Sequence, residues 1–486
     1  MIPTPEISWL AILPELLLAV GAAAVLLVEV QWKPEARVLG GISGIVLGMA
    51  GGATVVQWAD AQNMLDSGST PDLVAFSGMI TVDGFAVFSR FALIAVTGIG
   101  VLAGWRYIEG LGRRSAEALA LTLLATTGFS IMVASNNLVM LFLGLEVGSI
   151  ALYVLAGLTG ERGRADEAAM KYFLLGSFAS AILVYGVALL YAGTGELEIL
   201  AIRRFLTVNI LTSPAVALIG LALVLVGLAF KVSAAPFHSW APDVYQGAPA
   251  GIVGYMAATA KIAGFAAIAR FLLRGVSDFD SSWLPVAAGI SALSMLVGSI
   301  LALVQDDVRR MLAYSGVAHA GFIMTGVVGS VTSGVLFYAS IYAVQVVGAF
   351  AVVSAVSGPA SSASPLSAYR GLSGRSPGMA AAFTVLLLGM AGLPLTSGFI
   401  AKFSVFTDAW VAGFGWLVVL AVVASVIAFA FYLRIIVTMY MDRGEEEVVT
   451  VGGGVRWALA ISAAVTILWG VFPGMLLDIA RDAFPL

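Results

Sequence analysis

Hydrophobic residues run along this chain in long, nearly unbroken blocks, and polar residues are gathered into short connections between them. About fourteen of these blocks reach the ~20 residues that an α-helix needs to cross the hydrocarbon core of a bilayer. A transmembrane β-barrel would instead show alternating segments of about ten residues, a pattern that we do not find here. The pattern therefore predicts an all-α integral membrane protein with about fourteen transmembrane helices.

The connections between the blocks are short and rich in Gly, Pro, Ser and Asn, as at residues 135–137 and 358–359. Connections of this kind favour antiparallel packing of neighbouring helices. They leave no room for a soluble domain, so the functional residues are expected within the helices themselves.

Composition agrees with this class and limits the chemistry. The 486 residues are 60% hydrophobic and 11% charged, against about 25% charged in soluble domains. The formal net charge of -4 gives no basis for a nucleic-acid surface. Because the chain has no cysteine, it cannot hold an iron–sulfur cluster through thiolates or form a disulfide. Any electron transfer must then occur in another subunit.

The distribution of Lys and Arg predicts the orientation, because basic connections are retained on the cytoplasmic side. The connections of one side carry most of these residues: Lys33, Arg37, Arg106, Arg113, Arg114, Arg162, Arg164, Arg309, Arg310, Arg370, Arg375, Arg434, Arg443 and Arg456. The other side carries fewer: Arg203, Arg204, Arg270, Arg274 and Arg481. Both termini are therefore predicted on the non-cytoplasmic side.

The remaining basic residues lie inside the hydrophobic blocks, together with one glutamate. They are Arg90, Lys171, Lys231, Lys261 and Lys402, and the glutamate is Glu146. Ionisable groups within a membrane are costly and usually mark ion or proton paths. Two of them have simpler interpretations. Arg90 stands two helical turns after Asp83 and could form a structural ion pair, and Lys171 is near the start of its helix, where its side chain could snorkel to the surface.

Four of these groups are deep in their blocks: Glu146, Lys231, Lys261 and Lys402. Facing lipid unpaired, they would together cost about 10 to 14 kcal/mol. Burial disfavours the charged form of such a group and pairing favours it, so modest changes in water or partner distance can change its protonation. A proton relay requires this property.

Two blocks contain a helix break beside their lysine. Residues 210–246 hold Lys231 and Pro236, and residues 379–409 hold Pro394 and Lys402. Broken helices at corresponding places in two halves are typical of transporters built from internal repeats. A second match supports the repeat. Glu146 is nine residues after Asn137, and His319 is nine residues after Arg310.

His238 and His319 are the two histidines of the chain. An unperturbed histidine titrates near neutral pH and suits proton transfer. A haem held by both rings is a poorly supported alternative, and a histidine that is merely hydrogen-bonded within its helix is the main competing interpretation for each. We interpret His319 as a relay residue and leave His238, with Lys171, as a secondary candidate.

Several long strings resemble a known family. They are PELLL from Pro14, MKYFLLGSFASAILVYGVALLYAGTGEL from Met170, FKVSAAPFHSWAPDVYQGAP from Phe230, VRRMLAYSGVAHAGF from Val308, and AYRGLSGRSP with GMAGLPLTSGFIAKF from Ala368 onward. The chain resembles the subunit N family of the proton-translocating NADH:quinone oxidoreductases, respiratory complex I, over nearly its whole length. The broader antiporter-like family includes subunits L and M and the large subunits of cation/proton antiporters.

The resemblance implies fourteen helices with two inverted five-helix repeats and with helices seven and twelve broken. Residues 1–110 would form an N-terminal three-helix segment, 111–278 the first repeat, 279–441 the second, and 442–486 the region of helix fourteen. Glu146, Lys231, Lys261 and Lys402 match the family's charged positions, and His319 resembles a polar group between the last two. A lysine at 402 argues against subunit M, and the absence of a long lateral helix argues against subunit L.

The expected function is proton translocation through this row, coupled to quinone reduction in other subunits, as part of an NADH:quinone oxidoreductase. The resemblance implies no cofactor in this chain, with FMN, iron–sulfur clusters and quinone in partner subunits. The expected partners are subunit M and the small membrane subunits A, J and K, in a bacterial plasma membrane. Two alternatives stay open, a multisubunit cation/proton antiporter and a passive membrane scaffold.

Overall fold

The computed structural model describes residues 8–66, 73–158, 163–208, 214–358, 364–443 and 451–482. Both chain ends and Arg162, which entered the orientation prediction, lie outside these ranges. The described helices are α1 (Leu13–Trp32), α2 (Ala36–Asp66), α3 (Gly84–Gly110), α4 (Ser115–Ala134), α5 (Leu138–Gly157), α6 (Arg164–Thr194), α7 (Ile199–Val208), α8 (Pro214–Lys231), α9 (Trp240–Gly247), α10 (Ala250–Ala269), α11 (Asp280–Leu303), α12 (Val308–Val328), α13 (Thr332–Ser357), α14 (Leu372–Arg375), α15 (Pro377–Ala391), α16 (Ser397–Val411), α17 (Gly415–Met441), α18 (Gly453–Val471) and α19 (Gly474–Asp482).

The predicted all-α membrane fold is confirmed. Among the described residues, 13 helices are long and apolar enough to cross a membrane. The remaining predicted crossing, residues 379–409, is divided between α15 and α16, which have 15 residues each. The sequence did not reveal one small element, an antiparallel hairpin of β1 (Leu73–Ala75) and β2 (Ile80–Val82) that precedes α3.

The inner helices are α10, α12 and α13. Their most apolar windows are 94 to 100% buried inside the protein, whereas the corresponding windows of α1, α2, α6, α17 and α18 are 33 to 39% buried. Apolar side chains on those outer helices therefore face the surroundings, as expected for a chain dissolved in lipid. Small residues allow the closest helix contacts. A methyl group on Gly128 of α4 would lie 2.3 Å from the backbone nitrogen of Gly148 on α5, so only glycine fits there.

Two interruptions divide helices in the interior. The segment of residues 232–239 separates α8 from α9, and residues 392–396 separate α15 from α16. Pro236 and Pro394 explain why neither helix continues, since proline has no N–H to donate to the carbonyl four residues earlier. Gly392 adopts the left-handed region with φ 86° at the end of α15, a conformation that glycine tolerates without strain. Each interruption leaves backbone carbonyls available to other groups.

The helices α5 and α12 begin in the same way. Asn137 caps α5 by accepting from the Val139 amide at 2.9 Å, and Asp307 caps α12 by accepting from the Arg309 amide at 2.9 Å. An Asx cap satisfies amides that have no partner within the helix. The two caps define a common register for comparing the helices.

This register corrects one predicted match. Because α12 begins at Val308, Arg310 is its third residue and not its entry. Counted from the caps, His319 occupies the position of Ser149, twelve residues after each cap, and the position of Glu146 holds Gly316. Glu146 and His319 are therefore not matched positions. The inverted repeat itself and the domain boundaries drawn from it stay predictions.

Candidate functional site

The first charged pair lies between α5, α6 and α8. Glu146 is half-buried on α5 and accepts a hydrogen bond from Ser180 of α6. Lys231, the last residue of α8, is 4% exposed, and its Nζ donates to Ser149 Oγ at 2.8 Å. Ser149 lies three residues after Glu146, on the same face of α5. No described ion pair joins Glu146 to Lys231, so the carboxylate acts on the ammonium through space and not by contact.

A small cavity lies beside Lys231, between α5, α6 and α8. It has a volume of about 10 Å³, and its lining includes Ser149, Ser180 and Lys231. This is close to the smallest space that holds one water molecule, and the polar lining offers such a water its partners. The Lys231 ammonium also lies 5.0 Å from the centre of the Phe129 ring, a cation–π contact that offsets part of its lost hydration.

Lys261 lies at the centre of α10 and is 2% exposed. Its Nζ donates to the carbonyl of Val232, in the interruption after α8. That carbonyl is four residues before Pro236, which has no N–H to bond it. The proline that breaks the helix therefore leaves the acceptor that Lys261 uses.

Lys402 uses the second interruption in a similar way. Its Nζ donates to the carbonyl of Ala391, the last residue of α15, at 2.8 Å and to Ser425 Oγ at 3.2 Å. The carbonyls at a helix C-terminus lack partners and carry partial negative charge, so an ammonium is stabilised there. The ammonium also lies 4.5 Å from the centre of the Phe322 ring. Both interruptions thus present a backbone carbonyl to a buried lysine.

His319 lies between the two deeper lysines. Its ring packs against Tyr342, whose ring centre is 5.9 Å from the Lys261 ammonium. It also packs against Phe322, whose ring centre is 4.5 Å from the Lys402 ammonium. His319 is 2% exposed. Tyr338 OH lies 3.1 Å from Nδ1 and Tyr432 OH lies 3.3 Å from Nε2. Tyr432 in turn shares a hydrogen bond with Ser315. Both ring nitrogens have hydroxyl partners, so the imidazole can take a proton on one side and give one up on the other.

The secondary candidates lie apart from this row. Lys171 is 42% exposed at its side chain, where it pairs with Glu167 at 2.7 Å and with Asp243 at 2.9 Å. It is thus near the surface in an ion-pair network, which Arg310 joins through Asp243 at 2.7 Å. His238 is half-buried in the first interruption, and its Nδ1 has no hydrogen-bond partner among the described residues. The described residues contain no group of His, Asp and Glu that could hold a metal ion.

Arg90 has a different partner from the one that the sequence suggested. Its guanidinium pairs with Glu15 of α1 at 2.8 Å, with both side chains buried, and donates to Gln57 of α2 at 3.0 Å. Arg90 thus forms a structural ion pair, as the sequence suggested, but its partner is Glu15 and not Asp83. Neighbours in sequence cannot reveal this pairing, because the whole of α2 separates Glu15 on α1 from Arg90 on α3.

Asp83 instead binds two arginines that follow α10. It accepts from Arg270 at 2.8 Å and from Arg274 at 2.9 Å. Arg270 and Arg309, counted among the basic connections, are 3% and 0% exposed. Arg309 donates to the backbone carbonyl of Gln246 at 2.7 Å. These two arginines join elements within the protein. Because they are buried, they contribute little to the count of basic residues in the connections on which the predicted orientation depends.

The fold and the charged row define a class, a multi-pass membrane protein with buried ionisable groups beside two interrupted helices. Residues 135–428 match the family model described as NADH:quinone oxidoreductase/Mrp antiporter, transmembrane. A curated relative from Trichlorobacter lovleyi, NADH-quinone oxidoreductase subunit N, is 39% identical over 98% of this chain and 96% of its own length. The chain belongs to the NADH:quinone oxidoreductase/Mrp antiporter family, and the resemblance to subunit N is confirmed.

Solved structures agree with this placement. A chain of respiratory complex I from Thermus thermophilus with bound aureothin has a TM-score of 0.79 and 30% identity, over 96% of this chain and 98% of that one. A chain of the Mrp complex from Dietzia has a TM-score of 0.82 with 21% identity, over 98% and 97% of the two chains. At that identity the second match shows a shared fold and not a shared activity.

Proposed function

We propose that this chain is the proton-translocating subunit N of an NADH:quinone oxidoreductase, and that the proton moves along Glu146, Lys231, Lys261, His319 and Lys402. The observation that carries the proposal is the placement of the deeper lysines. Lys261 and Lys402 each donate to a carbonyl at a helix interruption, and His319 lies between them. Burying such a row in a membrane costs free energy, and ionisable groups that are kept there usually mark ion or proton paths.

The first step takes place at Glu146 and Lys231. Lys231 donates a hydrogen bond to Ser149, which lies on the same face of α5 as Glu146. When Glu146 is ionised, its charge favours the ammonium form of Lys231, and when Glu146 is neutralised or moves away, the buried ammonium loses that support. A change in the distance between the two groups therefore loads or unloads the lysine.

The later steps use the interior of the second half. Lys261 passes its proton towards His319, whose ring is bracketed by Tyr338 and Tyr432. Lys402 then exchanges the proton with a neighbouring subunit or with the outer face. Water entering at the two interruptions would complete the links that side chains do not make directly.

The chain contributes proton transfer and no redox step of its own. The iron–sulfur clusters would be held by other subunits, because this chain has no cysteine to ligate them. We place FMN and quinone in other subunits as well. We place it in a bacterial plasma membrane with both termini on the non-cytoplasmic side, beside subunit M and the small subunits A, J and K. The name of the Trichlorobacter relative and the complex I match support this assembly.

The decisive experiment is neutralisation of Lys231 in the assembled complex. We expect Lys231→Ala, or Glu146→Gln, to lower proton pumping and coupled quinone reductase activity while assembly stays largely intact. Lys33→Ala is the matched control, because Lys33 is exposed at the end of α1. A normal proton-to-electron ratio in the assembled Lys231→Ala complex would refute the role given to this lysine.

The same preparation separates the alternatives. Co-purification with NADH-oxidising subunits supports the proposal, whereas sodium-dependent transport by the chain without them would indicate an antiporter. A passive scaffold would tolerate Lys261→Ala and Lys402→Ala with undiminished pumping.

A further inference from the structure

One oxygen of Asp408, a half-buried carboxylate outside the charged row, has no hydrogen-bond partner among the described residues. Asp408 lies on α16, six residues beyond Lys402 and near the end of that helix. Its Oδ2 is inaccessible to solvent and has no partner among the described residues. An unsatisfied buried carboxylate oxygen is costly, so it calls for an explanation such as an unseen water or a role in chemistry.

Asp408 lies at a very close contact between helices. A methyl group on Gly334 of α13 would lie 3.0 Å from Asp408 Oδ2 and 3.2 Å from Ser404 Oγ. A methyl group on Gly329, which follows α12, would lie 2.9 Å from Asp408 Cβ. The two glycines therefore bring the ends of α12 and α13 against this carboxylate, and Ser404 provides a hydroxyl on the same side.

The same face of α13 leads to the charged row. Tyr338 is four residues after Gly334, so the two lie on one helix face about 6 Å apart along the axis. Tyr338 OH lies 3.1 Å from Nδ1 of His319. Asp408 thus lies against the first turn of α13, and the next turn of the same face carries Tyr338, the hydrogen-bond partner of His319.

The opposite side of Asp408 leads to the surface. Trp410 and Val411, two and three residues further along α16, are 60% and 81% exposed, and Arg481 of α19 is 69% exposed at its side chain. Its own partner, Asp478, lies 3.8 Å away on the same helix.

We propose that Asp408 is an outlet carboxylate that receives a proton from His319 through Tyr338 and releases it at the end of the protein where α16 and α18 end. The inference rests on the proton-translocating function proposed above. In the proposed orientation this end faces away from the cytoplasm, which is the destination of a pumped proton.

The transfer balances without any redox partner. Protonated His319 gives its Nδ1 proton to the Tyr338 oxygen as the Tyr338 hydroxyl proton passes to a bridging water. The water gives one of its protons to Asp408, so His319 and Asp408 both end neutral and Tyr338 is unchanged. Asp408 then loses the proton to external water and returns to the carboxylate.

The test uses the complete complex in proteoliposomes and measures NADH-driven proton transport. We expect Asp408→Asn to slow transport at least tenfold, since a positioned acid–base group commonly contributes about 10²- to 10⁴-fold. Asp408→Glu should restore most of the rate because it keeps a carboxyl group. Asp280→Asn, which changes an exposed aspartate at the start of α11, should transport normally.

A second pair of variants tests the path. Tyr338→Phe should also slow transport, and the double variant with Asp408→Asn should be no slower than the slower single one, because both act on one route. Normal transport in either single variant, in a complex where Lys261→Ala is defective, would overturn the outlet alone. Normal transport in Lys261→Ala would instead overturn the proposed function. If Asp408→Asn does not assemble, Asp408→Ser removes the same carboxyl group, and normal transport in that variant would overturn the outlet.

Discussion

The ammonium of Lys231 donates to Ser149 Oγ at 2.8 Å, and the direct partner of this buried lysine is therefore a hydroxyl and not the Glu146 carboxylate. Ser149 Oγ in turn donates to the carbonyl of Leu145 within α5. The arrangement holds the lysine close to Glu146 without locking the two into an ion pair. A locked pair would be difficult to unload, whereas a lysine held by a neutral acceptor can change its protonation when Glu146 changes.

The first prediction concerns this hydroxyl. Ser149→Ala removes the direct acceptor of the Lys231 ammonium, and a hydrogen bond to a charged group is typically worth about 1.5 to 3 kcal/mol. We expect NADH-driven proton transport to fall by about tenfold or more, because the buried charged form loses this support. The measurement is the initial rate of transport in proteoliposomes at equal amounts of assembled complex.

Ser177→Ala is the matched control for Ser149→Ala. Ser177 lies on the exposed face of α6, so its loss should leave transport unchanged. Unimpaired transport in the Ser149→Ala complex would mean that the hydroxyl is a packing contact and that Lys231 does not depend on it.

The second prediction concerns the buried pair of Glu15 and Arg90, which joins α1 to α3. Removing one partner leaves an uncompensated buried charge, which typically costs 3 to 5 kcal/mol. We expect Glu15→Leu to lower the thermal midpoint of the solubilised complex sharply. The double variant Glu15→Leu with Arg90→Met should be more stable than Glu15→Leu alone. A double variant that is less stable than both single ones would contradict the assignment of this pair as structural.

The third prediction concerns Asp83, which precedes α3. Burial opposes ionisation of this carboxyl, but the charges of Arg270 and Arg274 outweigh it and hold the pKa of Asp83 below the usual 3.8. A lowered folded-state pKa gives stability that is fully present above pH 4 or so and is lost as the pH falls through the folded value. The contribution of Asp83 should therefore persist at neutral pH and disappear only in strong acid.

Thermal melting of the wild type and of Asp83→Asn between neutral and acid pH measures this contribution. The difference between the two midpoints should be largest near neutral pH and should shrink as the pH falls below about 4. Asp280→Asn, at an exposed position, should show no comparable difference at any pH. A midpoint difference for Asp83→Asn that does not change with pH would indicate that its two arginines do not set its ionisation.

The sequence predicted the membrane class and located the buried lysines, since a charge within a hydrophobic block is visible without any structure. It also located both interruptions, because a proline within a hydrophobic block predicts a helix break and Pro236 and Pro394 are visible in the sequence. Pairings over long distances were not predictable. Arg90 on α3 pairs with Glu15 on α1, with the whole of α2 between them in the sequence, and no local pattern connects the two residues.

Register and small structural elements were also outside the reach of the sequence. The nine-residue spacing before His319 started from Arg310, but the helix begins at the Asp307 cap, which only the backbone reveals. The sequence around Asp408 does not distinguish it, because it lies near a helix end, where an aspartate is common. Only its contact with Gly334 and its unpartnered oxygen distinguish it.

The last prediction concerns the geometry of the second interruption. A methyl group on Gly398 of α16 would lie 1.8 Å from the carbonyl oxygen of Gly389 on α15. The carbonyl oxygen is part of the backbone of α15, and the methyl carbon would be bonded directly to the backbone of α16. The clash can therefore be relieved only by separating the two half-helices that place Lys402 against the Ala391 carbonyl. We expect Gly398→Ala to abolish proton transport and to reduce the amount of assembled complex.

Gly378→Ala separates this effect from a general sensitivity to substitution of glycine. Gly378 is the second residue of α15, and a methyl group there would meet nothing within 4 Å. Alanine is the better helix former by about 1 kcal/mol, so this variant should be as stable as the wild type or slightly more stable. Since both variants add the same methyl group, a normal Gly398→Ala complex would show that the close approach of α15 and α16 is not required for Lys402 to function.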